Sequence, residues 1–427
     1  MDQAETQKIS ELSSLFDGID VAPSDPIIEI LDLYSKCPNP EKVNLTIGAY
    51  RNEKLQPIVF NSVKIAEEEI LKENFSREYL PFLGDQEFNS LTQTTLFDLN
   101  NPKIKQNKKL NVIDSKRIVT VQSISGSGSL RLGAEFLSKF IHKKVYIPHL
   151  TWTNHFLIFE KSGMETIKYP YFNSENKELD FENLKNFLLN STEENSVVLL
   201  HVCGHNPTGV DPNESQWRDI CEIMKQKNLF PFFDLAYQGY ISGDLYADIY
   251  PIYIFLENDF EMFISQSFSK SMNLYGERAG SLHVIINPSE TLDENIKNIK
   301  IHFTQIAKGI YLVPVGHGSR IIKRVLGKEH LRKMWENELK ECVHRLNYVR
   351  SKLYEELKRI ETKGTWEHVI NQKGMFSYTG LNENQCCVLI EKHNIFLSKS
   401  GRISLSGLND DNIQIVALAI KDAVENY

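Results

Sequence analysis

The sequence predicts an α/β protein: a large domain with a mostly parallel sheet between helices, plus a smaller α+β domain drawn from both chain ends. Three observations carry that expectation. From Arg117 to Tyr240, short runs of β-branched and aromatic residues alternate with amphipathic stretches, as in strands joined by crossover helices. One of these runs, RIVTVQSISGSGSLRLGAEFLSKFI from Arg117, passes through a Ser/Gly-rich turn into a helix. Asn206, Asp234, Tyr237 and Lys270 each follow an apolar run, which puts them at the carboxyl edge of such a sheet, where open α/β folds bind ligands.

A chain of 427 residues exceeds what one ordinary core organises. We expect an N-terminal extension (1–20), a small domain built from 21–60 and 328–427, and a large domain (61–327). The net charge of −8 leaves no excess of cations for phosphates and argues against a general nucleic-acid binder. The six cysteines (Cys37, Cys203, Cys221, Cys342, Cys386, Cys387) form no C-x-x-C pair, so no metal site is expected, and reduced thiols of a cytoplasmic protein are the simplest reading. The first residues lack the basic and apolar segments of a signal peptide. No apolar run nears the roughly 18 residues of a membrane span. The expectation is a soluble cytoplasmic protein with neither a membrane nor a nucleic-acid partner.

The extension is polar and reads as a frayed helix or a tail. Ser24 or Asp25 caps a helix with Pro26 in its first turn and Ile27, Ile28, Leu31 and Tyr34 as its apolar stripe. KVNLTIGAYRNE from Lys42 reads as a short strand and turn around Gly48. A helix follows from Ile58 to Asn74, then an aromatic loop around Tyr79 and Gly84, and an exposed Asn/Lys-rich loop from Leu99 to Lys116. The strand Ile118–Val121 leads into a turn, Ser123–Ser129, and a helix, Leu130–Phe140. A strand, a glycine-rich turn and a helix N-terminus can together hold an anion, though such a turn can also only connect; it has neither the P-loop nor the dinucleotide spacing. After the alternating block come a charged helix (about Lys328 to Lys363) with an apolar stripe from Leu331 to Leu346, a strand MFSYTGL, the segment NIFLSKSGRISLSGL, and a last helix (Asp411 to Val424).

The stretch SFSKSMNLYGERAG, from Ser267 to Gly280, sets Lys270 among small hydroxyls with Arg278 eight residues on. A lysine whose pKa is lowered forms imines with aldehydes, and an arginine fork holds anions such as phosphate.

With the Asn-Pro-Thr-Gly turn at 206–209, FDLAYQG from Phe233 and SGRISLSG from Ser400, this stretch resembles the aspartate aminotransferase family. These are fold-type I enzymes that use pyridoxal 5'-phosphate (PLP), and the likeness runs in order from about Val21 onward. The resemblance implies that Lys270 is the imine-forming lysine and proton-transferring base. It implies that Asp234 pairs with the pyridinium nitrogen, supported by His155 and His201, that Trp152 stacks on the ring, and that Asn206 and Tyr237 bond its phenolic oxygen. Ser125, Gly126, Ser127, Ser267 and Arg278 would hold the phosphate, and Tyr79 would reach the phosphate of the neighbouring subunit, so a homodimer with shared sites is implied. Arg402 would grip the substrate α-carboxylate, with Gly48 and Phe376 lining the same pocket, to which Trp152 and Asn206 also belong.

One position departs from the family. Where it supplies a second arginine across the dimer for the substrate side-chain carboxylate, this chain has Lys308, and the neighbouring turn reads Val313-Pro314-Val315. Lysine keeps the charge and loses the fork. The implied activity is ping-pong transamination between L-aspartate or L-glutamate and 2-oxo acids, through the pyridoxamine form. The alternatives are an aromatic or broad-specificity aminotransferase, or a non-catalytic protein of the same fold.

Overall fold

The computed structural model describes residues 14, 16–20 and 26–427. Most of the N-terminal extension, and the expected Ser24 or Asp25 cap, lie outside the described residues; the first helix there runs Pro26–Lys36.

Seven strands form the central sheet: β1 (Ile118–Ile124), β2 (Lys144–Pro148), β3 (Glu165–Tyr169), β4 (Val197–His201), β5 (Phe230–Leu235), β6 (Met262–Ser267) and β7 (Ala279–Ile285). Their spatial order is β1-β7-β6-β5-β4-β2-β3. Only β7 runs antiparallel to its neighbours. Both faces are covered, which is why the strands read as continuous apolar runs. Alternation sends Phe232 to one face, with Leu130, Phe263 and Phe303, and Phe233 to the other, with Trp217 and Phe255.

The chain ends pack together. Val43–Asn44 pairs in parallel with Ile395–Phe396, and Phe376–Tyr378 pairs antiparallel with Arg402–Ser404. The charged helix spans Glu329–Arg359 and buries Leu331, Trp335, Leu339, Val343 and Leu346, as their spacing predicts. No described helix is long and apolar enough to cross a membrane.

Three expectations need correction. The serines and glycines from Ser125 are the first turn of a helix, Ser125–Phe140, and β1 continues to Ile124. The bend is made at one residue, since Ser125 itself takes φ +57°. The segment 99–116 is not a plain loop: it holds a helix (Pro102–Gln106) and a 3₁₀ turn (Lys108–Leu110), and Ile104, Leu110 and Val112 are buried. Three anchors spread among lysines leave no periodic stripe to read. The last helix is Ile413–Asn426, two residues later than expected at each end.

Candidate active site

The antiparallel course of β7 assembles one half of the site. Its first residues sit at the edge where β1 and β6 end: Ala279 lies opposite Ile124, and Gly280 lies opposite both Ser123 and Ser267. A Cβ on Gly280 would lie 2.6 Å from the Gln266 carbonyl and 2.8 Å from Ser125 C, so only glycine permits this approach. Ser125 Oγ is then 3.1 Å from Ser267 Oγ and 2.7 Å from Ser269 Oγ. Arg278 donates through Nη2 to Ser127 Oγ (3.2 Å) and through Nη1 to the Tyr275 carbonyl (2.9 Å). Arg278, like Ser125, has positive φ, +52°. For non-glycine residues that costs on the order of 1 kcal/mol or more, borne where the surroundings fix the geometry. A helix N-terminus with no side-chain cap and an arginine beside it favours an anion.

The middle of the sheet supplies a carboxylate. Asp234, near the end of β5 and opposite His201 of β4, is buried and lies 3.0 Å from His155 Nε2. Thr151 Oγ1 joins His155 Nδ1 (2.8 Å) to His201 Nε2 (2.9 Å). Burial alone would raise the Asp234 pKa, but the His155 hydrogen bond and the nearby cations, Lys270 among them, outweigh it and hold the carboxyl below its ordinary 3.8. Burial pushes His201 down to about 3, so it is neutral. With Asp234 ionised it can only accept, and His155 donates from Nε2. When His155 is neutral, Thr151 donates to its Nδ1 and accepts from His201 Nε2, which fixes both tautomers.

Lys270 follows β6 and faces a cavity of about 300 Å³, whose lining includes Trp152, Asn206, Asp234, Tyr237 and Arg278. Burial lowers its ammonium from 10.5 to about 8; Asp234 opposes the shift, and Arg278 and Arg402 add to it. A sizeable fraction of the amine is therefore neutral near physiological pH. Tyr237 is buried and lines the cavity together with Asn206, and burial raises its phenol far above 10, so it stays protonated. Trp152 stands edge-on to His155, with ring centroids 5.3 Å apart.

Arg402, only 7% exposed, donates through Nη2 to the Thr46 carbonyl (2.9 Å) and reaches Asn206 Oδ1 through Nη1 (3.4 Å). Its guanidinium lies 4.4 Å from the centroid of the Phe376 ring. That ring also faces Gly48, where a Cβ would come within 3.1 Å of Phe376 Cζ, and Tyr237, at 6.1 Å. Gly48, Asn206, Tyr237, Phe376 and Arg402 thus form one group bordering the cavity.

Tyr79 and Lys308 are not part of it within this chain. Tyr79 is 79% exposed, on the loop before the helix Gln86–Thr94. Lys308 is exposed near the end of the helix Leu292–Ile310, its ammonium 5.1 Å from the Phe82 ring centroid. Two participants escaped the sequence reading. Thr151 bridges the two histidines and was signalled only by its place four residues before His155. Ser269, bonded to Ser125, lay unremarked between Ser267 and Lys270.

A buried amine of lowered pKa, a buried carboxylate and two arginines around one cavity describe an enzyme that handles an anionic carbonyl or amino compound. Residues 40–420 match the model of the family described as aminotransferase class I and II, and the chain belongs to that family. It is 40% identical over 416 residues to the cytoplasmic aspartate aminotransferase of Dictyostelium discoideum, covering 97% of this chain and 91% of that protein. Among solved structures it is similar to the cytoplasmic aspartate aminotransferase of Saccharomyces cerevisiae (TM-score 0.92, 34% identity, 97% of this chain and 99% of that one). It is also similar to an aromatic-amino-acid aminotransferase of Burkholderia pseudomallei covalently bound to pyridoxal phosphate (TM-score 0.90, 34% identity, 97% and 100%).

Proposed function

We propose that this chain is a cytoplasmic, homodimeric, PLP-dependent aminotransferase that moves an amino group between L-aspartate or L-glutamate and 2-oxo acids. The observation that carries the reading is the placement of Lys270, its pKa lowered to about 8, in one cavity with Asp234 and Arg278. The donor set fits PLP: a neutral amine for its aldehyde, an ionised buried carboxylate for a cationic ring nitrogen, and an arginine beside hydroxyls and a helix N-terminus for its phosphate. Lys270, Asp234, Trp152, Asn206, Tyr237 and the Ser125–Ser127, Ser267 and Arg278 group would hold it. Bound there, it would supply an aldehyde that condenses with amines and a ring that draws electrons from the substrate α-carbon.

The side chains divide the remaining work. Asp234, held by His155, would keep a ring nitrogen protonated. Tyr237 donates from its phenol and Asn206 from its amide. Arg402 binds the α-carboxylate through its fork and so orients the α-hydrogen. Lys270 Nζ would take the substrate α-proton, which it can do only when neutral, and would carry that proton as the ammonium. Trp152 walls the cavity, and Phe376 backs the Arg402 guanidinium beside it. The small domain is proposed as 21–60 with 328–427, and the strand pairing of Val43–Asn44 with Ile395–Phe396 supports joining the two pieces.

A second reading rests on Lys308. An ammonium on a flexible stem orients a side-chain carboxylate less well than a fork, so the preference for dicarboxylates over aromatic substrates would be narrower than with arginine. The chain's similarity to an aromatic aminotransferase accords with this. The test is oxaloacetate formation from L-aspartate and 2-oxoglutarate by the purified protein, beside phenylpyruvate formation from L-phenylalanine and 2-oxoglutarate. Absence of PLP-dependent turnover with either amino donor would refute the reading.

A further inference from the structure

The long helix Glu329–Arg359 carries a buried cation outside the cavity. Arg350 is 3% exposed, and among the described residues no carboxylate pairs with it. Its fork binds backbone instead: Nη1 donates to the Val369 carbonyl (2.9 Å), and Nη2 to the carbonyls of Gly374 (2.8 Å) and Phe376 (3.0 Å). Burying a guanidinium without a counter-ion is costly, and burial alone pushes its pKa down to about 9. Neutral acceptors compensate only in part.

What the fork holds is the strand that shapes the Arg402 pocket. Phe376 begins Phe376–Tyr378, which pairs with Arg402–Ser404, Tyr378 lying opposite Arg402. The Phe376 ring is the shelf under the Arg402 guanidinium, 4.4 Å away. From its carbonyl the same residue is held by Arg350, and from its ring it packs on Gly48 and Tyr237. Arg350 touches neither the cavity lining nor Arg402, so its reach to the site runs through Phe376.

We infer that Arg350 is a positioning residue for substrate-carboxylate binding: it fixes the Phe376 strand so that Arg402 presents its fork to the α-carboxylate. The inference rests on the proposed carboxylate role of Arg402. It implies that Arg350 acts on every carboxylate substrate alike and leaves the Lys270 end of the cavity untouched.

The test uses the cofactor-loaded protein with Arg350→Met and Arg350→Lys. Losing its three charge-assisted hydrogen bonds, one of them to Phe376, predicts a fall of about 10- to 100-fold in kcat/KM for Arg350→Met, mostly through KM, by the same factor for L-aspartate and L-phenylalanine. Binding of 3-phenylpropionate, which offers a carboxylate and no amine, should weaken by the same factor, with cofactor absorbance and its pH titration unchanged. Arg350→Lys should recover most of the loss. Unchanged 3-phenylpropionate binding in folded Arg350→Met, a loss confined to one substrate, or an altered cofactor spectrum would overturn the inference. Should Arg350→Met not fold, Arg350→Gln, which keeps an amide donor and loses the charge and the fork, decides: weaker 3-phenylpropionate binding than in Arg350→Lys supports the role, and binding equal to that of the unaltered protein overturns it. Arg402→Lys separates the premise. If it too leaves binding unchanged, the Arg402 assignment fails; if it weakens binding while the Arg350 variants do not, only the Arg350 inference fails.

Discussion

The cavity around Lys270 and the surface around Tyr79 and Lys308 carry candidate residues of the same kinds, a lysine and an aromatic hydroxyl in each, yet they are built differently. At the cavity, strand register sets Asp234 opposite His201 and Gly280 opposite Ser267, and hydrogen bonds of 2.7–3.2 Å join Ser125 to Ser267 and Ser269, and Arg278 to Ser127. At the surface, Lys308 near a helix end and Tyr79 in a loop are exposed, and Phe82 is the aromatic neighbour of the lysine. Burial therefore lowers the Lys270 pKa to about 8, while Lys308 stands exposed to solvent. The contrast teaches that one chain gathers the Lys270 end of the proposed site within itself, while the proposed side-chain clamp from Lys308 and phosphate contact from Tyr79 would need the proposed second subunit.

The largest effect that could break this contrast is at Lys270. Lys270→Ala should lower transamination by about 10³-fold or more, the scale of losing both a nucleophile and a proton carrier, while the cofactor still binds non-covalently. Steady-state assays and equilibrium dialysis read both; near-normal turnover would end the assignment.

Next comes pH. A neutral amine is the reactive form, so condensation of cofactor-free protein with PLP should accelerate as pH rises and level off above about 8, followed by stopped-flow absorbance. Asp234 raises the Lys270 pKa, so Asp234→Ala should move the inflection to lower pH; Arg402→Met removes a cation that lowers it and should move the inflection up. Shifts of opposite sign would contradict the electrostatics. Asp234→Ala should also cost roughly 10²-fold or more in kcat, through loss of the charge that holds the ring nitrogen protonated.

Much of this was legible in the sequence. The alternating block gave the parallel sheet because both its faces are buried, and strand-end polar residues such as Asp234 and Lys270 stood out against apolar runs. The first turn of the Ser125–Phe140 helix reads in the sequence as a connecting turn, because serine and glycine are poor helix formers and nothing local shows that the strand edge holds them. The helix at Pro102–Gln106 was hidden for want of period. Thr151 and Arg350 were invisible for a different reason: their partners, His201 and the backbone of Val369, Gly374 and Phe376, are set by tertiary contact, which leaves no pattern along the chain.

Specificity sharpens the contrast from the surface side. Lys308→Ala should shrink the aspartate-to-phenylalanine ratio of kcat/KM by roughly tenfold, and Lys308→Arg should widen it, the scale of one charge-assisted hydrogen bond. An unchanged ratio in Lys308→Ala would mean that another cation reads the side chain. The last effect is at Tyr79: Tyr79→Phe should weaken cofactor binding about tenfold, the low end for one hydrogen bond to a charged group, without changing the ratio. A fully active monomer by light scattering would remove the reason for either surface effect.

The most direct measurement is chemical. The purified, PLP-loaded protein is reduced with borohydride, digested, and the modified lysine located by mass spectrometry. The label is predicted on Lys270; a label on any other lysine, or none, would contradict the central assignment.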